Sequence, residues 1–179
     1  MISIGCIVNM SCENKYVGSL LFCIGLITIL LYQLNLYTGK VCYIPCNNNQ
    51  YIVTVGLILV GNIIGCGIIG MSPQITPTSI CLTKLSYGLG TILFKSIMCG
   101  LLIYISVESY IRHKSIIPTL FCVPVFILSG YIHVVADSFY FVNARVLNEQ
   151  VLRYLVIAAI GNAIGGMCIP FINNAKLMK

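Results

Sequence analysis

The chain of 179 residues is 59% hydrophobic and only 8% charged, with a mean hydropathy of +0.99, which excludes a soluble globular domain. Its formal net charge of +6 rests on ten Lys and Arg scattered singly, the pattern of a membrane rim rather than of a nucleic-acid-binding face. Met1 to Met10 is apolar but too short to span, and it lacks the basic n-region and small-residue cleavage site of a signal peptide. It reads as the end of a helix whose beginning is missing. Apolar runs follow at about 17–44, 51–71, 86–111, 116–142 and 150–172, each near or above the ~20 residues that cross a bilayer as a helix.

The chain repeats itself. Gly61-Asn62-Ile63-Ile64-Gly65 returns as Gly161-Asn162-Ala163-Ile164-Gly165, an offset of 100 residues (161 − 61). Leu21-Phe22-Cys23-Ile24 returns as Leu120-Phe121-Cys122-Val123, an offset of 99 (120 − 21). Two matches at nearly one offset, both in membrane-type sequence, predict a duplicated unit with an odd number of spans, which inverts on duplication. A single membrane domain over 1–179 is expected: a first repeat at about 1–71, a connecting loop at 72–85, a second repeat at about 86–172 and a short basic tail at 173–179. Function is expected where the halves meet.

Two spans are not ordinary helices. The run 17–44 carries Gln33, Asn35, Thr38 and Gly39 in its second half, and 116–142 carries Gly130, His133, Asp137 and Ser138 at comparable depth. Polar groups there are tolerated only when buried in protein or lining a watery path, so both helices are expected to break at mid-membrane. Each break would leave backbone N–H groups and a positive helix end facing inward, favourable for an anion. The glycines at 61, 65, 67 and 70, and at 161, 165 and 166, have the small-xxx-small spacing of close helix packing. Asn62 and Asn162 need partners in lipid and are expected to hold a broken helix or to line the path.

His133, in the apolar run Leu128 to Tyr140, belongs to the side-chain type that titrates near neutrality, and it could equally be a satisfied core histidine. Lys95 either snorkels to the interface or reaches inward to supply positive potential. The ten cysteines form no CxxC pair; most sit in apolar runs as small buried hydrophobes, and their number suits a reducing cell. Cys42 and Cys46 flank Pro45 at CxxxC spacing. Arg112-His113-Lys114 and the basic tail favour a cytoplasmic C-terminus. There is no GxSxG, HExxH or P-loop and only four acidic residues, so neither an enzyme nor a cofactor or metal is expected.

Taken together the motifs resemble the formate/nitrite transporter family of pentameric anion channels, most closely its hydrosulfide branch. The residues that carry the likeness are Leu36-Tyr37-Thr38-Gly39-Lys40 at the first break and Gly130-Tyr131-Ile132-His133-Val134-Val135-Ala136-Asp137 at the second. Phe94-Lys95-Ser96-Ile97-Met98-Cys99-Gly100 and the two Gly-Asn-x-x-Gly helices complete it. The resemblance implies an all-α integral membrane protein with an aquaporin-like inverted repeat of three-span units. The middle span of each triplet is interrupted, and the protomers of a homopentamer each carry a pore. By position it matches Thr38 and Lys95 to the family's pore threonine and lysine, His133 to its central histidine, and Asn162 to an asparagine beside that histidine. Leu36 and Tyr37 fall at one constriction, with Phe126 and Phe139 as further candidates.

Asn35 and Ile132 stand where formate-type members have glutamate, Asp137 replaces an asparagine, and Gly100 replaces another. These departures point toward the hydrosulfide branch, and Asp137 is placed to act on His133. Met1-Ile2-Ser3-Ile4-Gly5 resembles the middle of the family's first span, so that span is expected to be incomplete. The resemblance implies a passive, pH-sensitive channel in the cytoplasmic membrane for a small monovalent anion such as hydrosulfide, formate or nitrite. Its rival is a truncated, non-conducting paralogue acting as an assembly partner.

Overall fold

The computed structural model describes residues 1–177, with side chains described through Ile172, and its regular elements among these residues are all helical. In chain order they are α1 (Ile2–Ser11), α2 (Lys15–Leu21), α3 (Cys23–Leu31), α4 (Tyr37–Lys40) running into a 3-10 helix (Val41–Cys46), and α5 (Asn49–Gly70). After these come α6 (Thr78–Leu85), α7 (Leu89–His113), α8 (Ile117–Leu128), α9 (Val134–Asn143) and α10 (Glu149–Leu177). Three are long and apolar enough to cross a membrane: Asn49–Gly70, Leu89–His113 and Glu149–Ile172. The basic tail expected at 173–179 lies outside the described side chains.

Asparagine starts the helices at three places. The side chains of Asn14, Asn48 and Asn148 accept from the N–H groups of Tyr16 and Val17, of Tyr51, and of Val151, satisfying donors that a helix start leaves open.

The two polar-rich runs are broken, and in the same way. Helix α3 ends with Gln33 in the left-handed region (φ 53°), while Gln33 N–H donates to Leu30 O and Leu34 N–H to Ile29 O. Helix α8 ends with Gly130 at φ 62°, Gly130 N–H donating to Ile127 O and Tyr131 N–H to Phe126 O. Both are Schellman endings, related by an offset of 97 residues (130 − 33). The chain then extends for a few residues and starts a new helix, with Leu36 at the N-cap of α4 and His133 at the N-cap of α9.

Each fresh start is clasped by the repeated asparagine of its own half. Asn62 Oδ1 accepts from Tyr37 N–H (2.8 Å) while its Nδ2 donates to Asn35 O (3.1 Å). Asn162 Oδ1 accepts from Val134 N–H (2.9 Å) while its Nδ2 donates to Ile132 O and Ser96 O (2.8 Å each). The third span of each half also covers the broken helix of the other, α5 packing on α9 and α10 on α4 and the 3-10 helix.

Helices α7 and α10 form the tightest pair. A Cβ at Gly161 would meet Ser96 Cβ, and Cβ atoms at Gly165 and Gly100 would collide with the backbones of Ile97 and Asn162. The reading of Gly161, Gly165 and Gly166 as packing residues agrees with this. For Gly61, Gly65 and Gly67, nothing within the protomer lies within 4 Å of a Cβ built there. Helix α5 turns that stripe outward, and only Gly70 at its end meets Val142.

The connection at 72–85 differs from expectation too. Only its first part is loop; Thr78–Leu85 is helix α6. The loop part is pinned rather than free: Asn143 accepts from Ile75 and Thr76 N–H and donates to Gly70 O and Pro73 O. Arg145 donates to Met71 O and Ser72 O. Pinning the linker seats α6 against the start of α9.

Candidate functional site

Two cavities open toward the two ends of α7 and share no lining residue. The first, about 360 Å³, lies at the N-terminal end of α7 and is lined by Phe22, Phe126, His133, Lys84, Asp137 and the Gly130-Tyr131 turn among others. The second, about 300 Å³, lies at the C-terminal end, lined by Leu26, Leu30, Leu36, Lys40, Lys114 and the Gln33-Leu34 turn among others. Each Schellman turn thus faces a different cavity. With a 1.5 Å rise per residue, the 25 residues of α7 separate the two mouths by roughly the thickness of a bilayer core.

Thr38 and His133 meet where the two broken helices meet. Thr38 Oγ1 lies 2.9 Å from His133 Nε2, and both residues are buried. His133 Nδ1 accepts from Ala136 N–H (3.2 Å), capping α9 with its own side chain. An N–H that points at Nδ1 requires a lone pair there, so Nε2 carries the ring proton and donates to the threonine hydroxyl. Phe126 stacks on the imidazole (centroids 5.9 Å apart, 23° between planes) and meets the edge of Phe22 at 5.8 Å. The imidazole is therefore walled on one side by aromatic rings.

Leu36 lines the second cavity, whereas its neighbour Tyr37 turns away from it, donating its hydroxyl to Ala159 O of α10 (3.0 Å). Asn162 is fully buried with its amide engaged in the clasp. Phe139 is buried against Tyr140, away from both cavities.

Lys95 is half-buried. Its Nζ donates to Gly130 O (3.3 Å) and lies 4.9 Å from the centre of the Tyr87 ring, at the rim of the first cavity rather than among its lining side chains. The cation that does line that cavity is Lys84 of α6, 2.9 Å from Asp137 Oδ1, with side-chain exposures of 16% and 2%. Tyr154 of α10 donates to the other oxygen, Asp137 Oδ2, at 2.7 Å. In sequence Lys84 lies in a stretch whose two prolines and polar residues mark a surface connection, which hides its role. The available signal was Asp137 itself: a carboxylate inside an apolar run demands a cation from elsewhere in the chain.

Glu108 accepts from Tyr43 Oη (2.5 Å) and from Arg112, beyond the second cavity's floor. No cluster of three or more metal-ligating side chains occurs among the described residues.

Two broken helices that meet through one buried polar pair, with a cavity beside each break, are the construction of a membrane channel or transporter. The chain matches the formate/nitrite transporter family over residues 1–174, and it belongs to that family. No curated protein matches it. Its fold is similar to that of a solved structure described as an FNT family ion channel (TM-score 0.83, 18% identity), over 93% of this chain and 81% of that one. It is likewise similar to a pentameric formate channel with formate bound (TM-score 0.71, 18% identity), over 99% of this chain and 92% of that one.

Proposed function

We propose that the protein is a passive, pH-sensitive channel for a small monovalent anion of a weak acid, hydrosulfide, formate or nitrite, across the cytoplasmic membrane. It works as a homopentamer of inverted-repeat protomers, each with its own pore. The observation that carries this reading is the buried Thr38–His133 pair, whose histidine lines the first cavity and whose threonine is the chain neighbour of Gly39, a lining residue of the second. The pentameric assembly and the formate of a structurally similar channel support it.

Bare charge in an apolar constriction is expensive, and the neutral acid crosses cheaply. In this reading an arriving anion takes the place of the Thr38–His133 contact, accepting from the Nε2–H and the threonine hydroxyl. A proton taken up from the cavity water, while the Nε2–H and the Thr38 hydroxyl hold the anion in place, converts it to the neutral acid, which passes Leu36 or the Phe22 and Phe126 rings and releases the proton to the water beyond. Lys84, not Lys95, is the cation inside the first cavity, and Asp137 holds it there. Asn162 acts from behind, holding the backbone that presents His133.

The test is flux of each of the three anions into liposomes carrying the purified protein, with Thr38→Val, Lys84→Met and Lys95→Met. Flux lost in Thr38→Val, weakened at low anion concentration in Lys84→Met and kept in Lys95→Met supports the assignment, and the fastest anion names the branch. Loss in Lys95→Met alone returns the cation's role to Lys95. No flux from folded protein overturns the channel in favour of a non-conducting membrane protein with this fold.

A further inference from the structure

The first cavity holds both signs of charge. Among its lining residues Lys84 and Asp137 are the charged side chains, and they are bonded to each other at 2.9 Å. Tyr154 holds the second carboxylate oxygen, so Asp137 is fixed from two sides. Asp137 also stands in the first turn of α9, where a carboxylate offsets the positive helix end that points at the same space. The other charges nearby are Lys95, committed to Gly130 O and the Tyr87 ring at the rim, and Lys15, over the Tyr16 ring in an adjoining cavity that shares Asn9, Met10, Ile80 and Ile127 with this one. The second cavity differs: Lys40 and Lys114 line it, and no carboxylate does. Glu108 lies outside that lining, bonded to Tyr43 and Arg112.

We infer that Asp137 is a specificity-determining counter-charge. By pairing with Lys84 it sets the lining charge of the first cavity to zero, so the channel draws anions weakly from the α6 end and more strongly from the Lys40/Lys114 end. This deepens the channel reading above and rests on it. The local field follows the sum of the pair. Asp137→Asn makes the lining +1 and keeps an acceptor for the Tyr154 hydroxyl, Lys84→Met makes it −1, and Lys84→Met/Asp137→Asn restores zero.

The experiment is the concentration dependence of formate influx into liposomes for all four proteins, each first shown by size exclusion to assemble as the wild type does. Formate is used as the probe because it does not attack cysteines. Asp137→Asn is expected to lower the half-saturating concentration roughly tenfold, the lower end of what a focused unit charge does to local counter-ion concentration, and Lys84→Met to raise it by a similar factor. The double variant returns to the wild-type value, and added impermeant salt shrinks the differences.

A merely structural aspartate would give a different ranking. Asp137→Asn would then impair flux, the double variant would impair it further, and salt would leave the order unchanged; that result overturns the inference while leaving the channel standing. Zero flux in all four proteins, wild type included, removes the channel reading and the inference with it.

Discussion

The two asparagine clasps are alike in geometry and unlike in surroundings, so the same substitution should cost different amounts in each. In Asn162→Ala the N–H of Val134 and the carbonyl of Ile132 lose the amide in a buried setting that admits no replacement. Stranding a buried polar group costs about 1–3 kcal/mol, and interhelical hydrogen bonds in membranes fall toward the lower end of such figures. About 1.5 kcal/mol for each of the two groups gives about 3 kcal/mol; Ser96 O, which also receives the Asn162 amide, adds little because it is a helix carbonyl. In Asn62→Ala the groups exposed are Tyr37 N–H and Asn35 O, the latter at an exposed position where water can take over. About 1 kcal/mol is expected. At roughly 2–4 °C per kcal/mol for a chain of this size, the melting temperature falls by about 6–12 °C for Asn162→Ala and by about 2–4 °C for Asn62→Ala. The buried cysteines Cys6, Cys23, Cys42 and Cys99 make a thiol-reactive dye a suitable reporter of unfolding in detergent. Equal shifts for the two variants would refute the reasoning, because the clasps share their two backbone partners and differ in burial and in the extra Ser96 bond of Asn162.

Glycine offers a second matched pair. Gly165→Ala drives a Cβ into the Ile97 carbonyl and is expected to destabilise the α7–α10 contact enough to disturb assembly, whereas Gly65→Ala meets no atom of its own protomer within 4 Å and gains up to about 1 kcal/mol of helix propensity. Thermal unfolding of both variants checks this, and a tolerated Gly165→Ala would mean the helices can part without cost. For permeation, wild-type flux should rise toward acid pH more steeply than the concentration of neutral acid in solution, the excess being the contribution of His133. His133→Ala should leave only the slope of the neutral acid; an unchanged pH profile would remove His133 from proton transfer and leave the pore intact.

The parts of this molecule that were legible in the sequence are those where a local conflict shows. Gln33, Asn35, Gly130 and His133 sit in apolar runs where an unbroken helix would turn polar groups to lipid, and the structure breaks the helix at each place. Asn62 and Asn162 were legible for the same reason. Lys84 carried no such conflict: a lysine near two prolines and several polar residues looks solvated, and only the fold brings it to Asp137, 53 residues away. Lys95 drew attention because it lies inside an apolar span, yet a long side chain on a helix can bend toward a carbonyl and a ring at the rim, as it does with Gly130 and Tyr87. The glycines of α5 and α10 repeat the same spacing, but spacing fixes only that small residues share a face. The neighbour decides the rest, and α7 lies against one face while nothing within the protomer meets the other.

The 97-residue correspondence between the breaks explains how a duplicated frame comes to hold an asymmetric site. Aligned through their Schellman turns, Leu36 and His133 are the same position: each is the N-cap of the helix that restarts after the break, and each lines one of the two cavities. In one half that position has no side-chain cap and its leucine walls a cavity. In the other the imidazole caps α9 through Nδ1 and presents Nε2 to Thr38 from the first half. The asparagine clasps secure the restarted backbone independently of which residue occupies the cap. That independence is what frees the cap to become apolar on one side and proton-bearing on the other. Charge has diverged along the same division, with an internally paired Lys84–Asp137 beside the histidine and uncompensated lysines beside the leucine. In the proposed channel, an anion entering from the Lys40/Lys114 side would therefore meet, in order, a cavity that attracts it, an apolar side chain, a hydrogen-bonding pair, and a cavity of neutral lining.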